Sequence, residues 1–116
     1  MAVSDYTAGK VVTTVPIGEG VDGAAYDPAL ANAFASNANG SLTIIHQDSV
    51  DQYHAIQNLP IPDGSRNMVL DPANHHVFVA AAKFGPPSSG GSRSRRGPVL
   101  PGTFSLLVVE RASAGR

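Results

Sequence analysis

The chain has 116 residues, 42% of them hydrophobic and 15% charged, with a formal net charge of −1. That length supports one small domain with one core, and the near-neutral balance excludes a general electrostatic pull on nucleic acid or an anionic membrane. With no cysteine there is neither a disulfide framework nor thiolate chemistry, and no apolar run approaches the ~18 residues of a membrane span.

Gly and Pro, with Ala, Asn and Ser throughout, predict short strands and many turns in place of helices. Met1 is followed by Ala-Val-Ser-Asp, without the basic and then apolar stretch of a signal peptide. Val11 to Val15 is β-branched throughout and stops at Pro16, which cannot donate to a ladder. Gly18-Glu19-Gly20 predicts a turn, and Gly23 to Tyr26 a strand of small residues, ended by Asp27-Pro28 because the residue before proline leaves the helical region. Ala33 to Ser36 is the next short strand, Asn37-Ala38-Asn39-Gly40 a hairpin turn, Leu42 to Ile45 a further strand, and Asp48 to Gln52 a polar turn. His54 to Leu59, Asn67 to Leu70, His76 to Ala81 and Phe104 to Val109 continue the series.

The chain repeats itself. A shift of about 44 residues brings Val15-Pro16-Ile17 onto Leu59-Pro60-Ile61, Gly20 onto Gly64, Asp27-Pro28 onto Asp71-Pro72, and Ala33-Phe34-Ala35 onto Val77-Phe78-Val79. Four short strands per repeat of this length predict an all-β fold of β-propeller blades, each a four-stranded antiparallel sheet, with about two blades' worth of strands and so an incomplete ring. Small residues at Gly23 to Tyr26 suit an innermost strand, where side-chain room is least. Residues 1–10 read as the tail of a preceding strand and its turn, 11–53 as the first repeat, 54–110 as the second, and 111–116 as a disordered tail.

The run Gly9 to Gly18, then Asp27-Pro28, Ala33 to Asn37 and Gly40 to Ile45, resembles the YVTN-type (YncE-like) β-propeller repeat family, and the second copy matches at Asp71-Pro72 and Val77 to Val79. The resemblance implies blades in which the outer strand comes first in the repeat, a full ring of seven, export from the cytoplasm in many members, and no shared catalytic motif. By that order the chain reads as one outer strand, one whole blade and three inner strands, the C-terminal portion of a longer propeller. Alternatively, the N-terminal strand completes the last blade of another copy, giving a closed ring of three or four chains.

In the second copy the tight turn gives way to an insertion over 85–102, where all but Val99 and Leu100 are Gly, Pro, Ser or Arg, so that it should bury little. Arg93, Arg95 and Arg96 make it a candidate basic finger for nucleic acid or an acidic partner, against the plainer reading of a solvated loop. Arginines without aromatic neighbours make nucleic acid the weaker partner.

Two further constellations carry polar chemistry. His46 and Asp48 share a strand face and His54 follows across a turn, which makes His46/Asp48/His54 the best metal or acid–base cluster, with polar turn packing as the alternative. Glu19, Asp22, Asp63 and Arg66 flank turns leading into inner strands and are candidate ligand-binding residues, with turn capping and a surface ion pair as the alternative. His75-His76 points to opposite faces if extended, which excludes joint ligation of one metal. No nucleophile motif is present, and Gly18-Glu19-Gly20 precedes no helix, so no catalytic residue or cofactor is expected. The expected function is a non-enzymatic binding scaffold for a protein or small ligand. The enzymatic alternative is part of a cofactor-dependent redox propeller whose site lies in other blades.

Overall fold

In the computed structural model, which describes residues 1–87 and 97–113, nine strands form three antiparallel sheets, and no helix occurs among the described residues. β1 (Ala2–Asp5) and β2 (Lys10–Thr14) make the first sheet. β3 (Val21–Asp27), β4 (Asn32–Asn37), β5 (Ser41–Ser49) and β6 (Gln52–Pro60) make the second. β7 (Arg66–Asp71), β8 (His76–Ala81) and β9 (Ser105–Val109) make the third. Within each sheet, spatial order follows chain order, through short turns between antiparallel neighbours everywhere except between β8 and β9, which the insertion-bearing segment joins.

Backbone geometry repeats along with the sequence. Gly20 and Gly64 both take positive φ, at 72° and 79°, and so do Ala31 and His75, at 54° and 64°. A β-branched residue would be strained at any of these four sites. The strand that opens the second sequence repeat, β6, closes the middle sheet against β5, so repeat and sheet are offset by one strand. The turn expected over 48–52 narrows to Val50-Asp51, because β5 and β6 extend towards each other into a tight hairpin.

Strand alternation gives the middle sheet two different faces. Phe34 pairs with Ile44, and Leu42 with Leu59. This face meets Val77 and Val79 of β8 in the main apolar cluster, with Met68, Leu70, Leu107 and Val109 packed around it. The opposite face carries Ala35, Ile45, Thr43 and Asn37, all wholly buried. Gly18 approaches this second face closely: its amide donates to Thr43 Oγ1 (3.3 Å), and a methyl group in its place would lie 2.7 Å from Asn37 Nδ2. Asn37 Nδ2 also reaches Ser41 Oγ and Thr43 Oγ1, and Thr43 donates to Asn58 Oδ1, so on the second face a polar network lies beside the buried Ala35 and Ile45.

The second and third sheets come closest at their first strands. Gly23 lies so near β7 that an added methyl would sit 3.1 Å from Met68 Cγ, which is the packing reason for small residues in β3. From that seam the sheets splay. Between β6 on one side and β9 on the other they leave a groove of about 600 Å³. The molecule is a slab of 49 × 42 × 21 Å with a radius of gyration of 16.4 Å, against about 13 Å for a compact chain of this length.

The insertion is not featureless at its base. Phe84 bridges Val99, the Gly85 amide donates to Pro98 O (2.8 Å), and the Leu100 amide donates to Lys83 O (2.9 Å). This short ladder closes the loop, and the Thr103 hydroxyl caps it by donating to Leu100 O (2.7 Å). A reading from Gly, Pro and Ser content misses it because the pairing is made by backbone groups.

Candidate functional site

Of the candidate ligand-binding residues, Glu19, Asp22, Asp63 and Arg66 are all exposed. Asp22 Oδ1 accepts from Ser36 Oγ (3.0 Å) and so ties the start of β3 to β4. The Glu19 carbonyl accepts the Asn39 amide at 3.3 Å. Asp63 closes over Gly40, leaving no room for a side chain there. Among the described residues no ion pair joins Asp63 to Arg66, since all three ion pairs involve histidine. The four sit around turns at the start of β3 and β7 without converging on a common point.

The structure brings His46, Asp48 and His54 near one another but divides their bonds. His46 lies directly opposite His54 across the β5–β6 ladder, with ring centroids 6.3 Å apart. His54 Nδ1 donates to Asp48 Oδ2 at 2.5 Å, while His46 Nδ1 donates to Asn32 Oδ1 at 2.9 Å on the other side. Asp48 falls at a register shift between Gln47 and Ser49. A bulge re-aims its side chain, so the strict two-residue alternation that would place it beside His46 no longer applies. Among the described residues no group of three or more His, Asp or Glu is placed to hold a metal ion. The candidate basic finger, Arg93, Arg95 and Arg96, lies outside the described residues.

The best-organised polar centre is one that the sequence shows only as a turn. Asp27 is wholly buried at the end of β3. Its Oδ1 accepts the amides of Ala29 (3.0 Å) and Leu30 (3.4 Å), capping the turn, and its Oδ2 accepts from His75 Nδ1 at 2.6 Å. Burial pushes the Asp27 carboxyl upward, but the His75 hydrogen bond, the two amides and the charge of the ring outweigh it, leaving the carboxyl below its ordinary range. His75 occupies the left-handed turn position before β8, and its ring is one-third exposed at the groove. The pair therefore bolts the second sheet to the third. At Asp71, one repeat on, the carboxylate likewise accepts an amide, that of Ala73 (2.9 Å).

A histidine oriented through Nδ1 by a buried carboxylate is also the arrangement of a general base. Here the other ingredients are missing among the described residues. The histidine rings bond only to Asn32, Asp48, Asp27 and Glu110, and no serine or threonine hydroxyl is hydrogen-bonded to any of them. What the geometry shows is a bridge between two sheets whose histidine lines the groove.

The largest unsatisfied feature is apolar. On the outward face of the third sheet Val69, Leu106 and Val108 are 61%, 57% and 53% exposed, with Phe104 at 70% beside them. Register identifies what this face corresponds to. Phe78 pairs with Val108 and Ala80 with Leu106, as Phe34 pairs with Ile44 and Ser36 with Leu42. The exposed face of the third sheet is thus the repeat equivalent of the middle-sheet face that the third sheet itself buries. Comparison with protein-family models, with curated proteins and with solved structures gives no match.

Proposed function

We propose that the chain is a non-enzymatic β-propeller segment, of the YVTN-type repeat class its sequence resembles, acting as an interaction scaffold that docks a further sheet of its own kind. Three observations support the reading of the sheets as blades: strand order within each sheet follows the chain, the middle sheet has four strands, and adjacent sheets meet closely at β3 and β7 and splay outward. The single observation that carries the scaffold reading is the exposed apolar face over Val69, Leu106 and Val108, with half-buried Phe78 between them. Contiguous exposed apolar surface of this kind marks an interaction site, and the middle sheet shows that its equivalent is covered by another sheet.

In this reading the partner is a second copy of the chain. Size-exclusion chromatography with light scattering tests it. The wild-type chain is expected to self-associate as its concentration rises through the micromolar range, and Val108→Lys, at a half-exposed site, is expected to weaken that association at least tenfold without lowering the melting temperature. A wild-type chain that stays monomeric at every soluble concentration contradicts the proposal.

A further inference from the structure

The middle sheet shows what a complete four-stranded unit of this repeat looks like, and the sheets on either side of it lack complementary parts. In the first sheet, the β1–β2 ladder reproduces the β5–β6 ladder in register and in fault. Val3 pairs with Thr13 and Ser4 with Val11, skipping Val12; Ile44 pairs with Gln57 and Ile45 with Ala55, skipping Ile56. Val12 and Ile56 are one repeat apart, so β2 is the counterpart of β6, the outermost strand. By the same register β1 stands in the place of β5. In the third sheet that place is held by β9, which pairs with β8 on one edge and with no strand on the other among the described residues.

Resting on the scaffold reading above, we infer that β2 of one copy adds to the free edge of β9 in another, displacing β1. The middle sheet dictates the register: Thr13 of one copy opposite Val108 of the other, Val15 opposite Leu106, Val11 opposite Val109 and Lys10 opposite Glu110. The charges agree with it. Lys10 faces Asp5 within its own chain, and in the exchanged ladder it faces Glu110, an equivalent opposite-charge pair. Apolar packing agrees as well. Val11, 62% exposed in the isolated chain, turns beside Val109 into the groove, where Ile44, Leu59 and Val109 form the apolar lining.

The exchange replaces a weak partner with a better-supported one. β1 contributes four residues to a two-stranded ribbon, an arrangement marginal in water. β9 is backed by β8 and β7, and its open edge is the kind of template that recruits a strand from another chain. The two surfaces, β2 and the β9 edge, lie in different places on the molecule, so the contact is head-to-tail and either closes into a ring or extends.

Disulfide trapping in the full chain tests the register, because the chain contains no cysteine of its own. Thr13→Cys and Val108→Cys are prepared separately, mixed at a concentration where the wild type associates, and oxidised. The mixed disulfide is expected to form at least tenfold faster than that between Thr14→Cys and Val108→Cys, which sit on opposite faces of the exchanged ladder. Lys10→Cys with Glu110→Cys, both at exposed sites, provides a second in-register pair should either of the first variants fold poorly. Association without faster in-register trapping in either pair overturns strand exchange and leaves the docking of sheet faces standing. Absence of association overturns both.

Discussion

Leu42→Ala is expected to lower the unfolding free energy by about 3 kcal/mol, the middle of the range for emptying a leucine site in a closed core. Leu106→Ala, at the corresponding position of the third sheet, is expected to cost less than about 0.5 kcal/mol in a monomeric sample, as an exposed substitution does. The two residues share identity and register, each pairing with the strand before it at the equivalent rung. They differ in what lies across from them. Leu42 is wholly buried against the third sheet, with Val77 and Val79 in the same cluster, while Leu106 is 57% exposed. Urea denaturation of the two variants measures the contrast. In a chain with so thin a core, a loss of 3 kcal/mol is a large share of the ~5–15 kcal/mol typical of folded domains. Repeating the measurement on associated protein should raise the cost of Leu106→Ala towards that of Leu42→Ala, because docking gives the exposed leucine the same surroundings. Equal costs for the two variants in the monomer would contradict the placement of the core.

The second large effect concerns acid. The Asp27 carboxyl is held below its ordinary range by His75 and by the amides of Ala29 and Leu30, despite its burial. A group whose folded-state value is depressed binds fewer protons when folded than when unfolded. Its contribution is complete above the unfolded value of about 3.9 and is lost as pH falls through that value towards the lower folded one. Asp27→Asn keeps an oxygen for the two turn amides and removes the titration. Between about pH 6 and about pH 3 the melting temperature of the wild type is therefore expected to fall further than that of the variant. At neutral pH the variant is expected to be the less stable of the two, because it lacks the charged partner of the His75 ring. Thermal melts followed by circular dichroism across this pH range give both comparisons. Parallel pH dependence in the two proteins would show that the ionisation of Asp27 is not linked to folding.

Much of the architecture can be read from the sequence because its signals are local. A β-branched run such as Val11 to Val15 makes a strand wherever it falls, Pro16 ends it, and Gly40 at φ 86° makes the hairpin that Asn39-Gly40 announces. The repeat extends those local readings to the second copy. What the sequence conceals is set by neighbours across space. Asp27 and His75 stand 48 residues apart, and nothing in either local segment shows that stacking two sheets buries the one beneath the other. Asp48 illustrates the converse: a two-residue spacing from His46 implies a shared face, and a bulge removes it. Glu19, Asp22, Asp63 and Arg66 do lie at turns leading into β3 and β7, yet turn position alone does not make side chains converge. The outward face of β9 was hidden for a different reason. The alternation in Leu106, Leu107, Val108 and Val109 is apolar on both sides, so only the register with β8 tells which side is covered.

The most direct test of the third sheet as an assembly surface is hydrogen exchange measured at two protein concentrations. If β9 is completed by another copy, those amides over residues 104–110 that point away from β8 exchange quickly in dilute protein and become protected at least tenfold in concentrated protein. Those over residues 54–59, whose strand already closes the middle sheet, exchange alike in both. Exchange over 104–110 that is unchanged by concentration would contradict assembly through this face and edge.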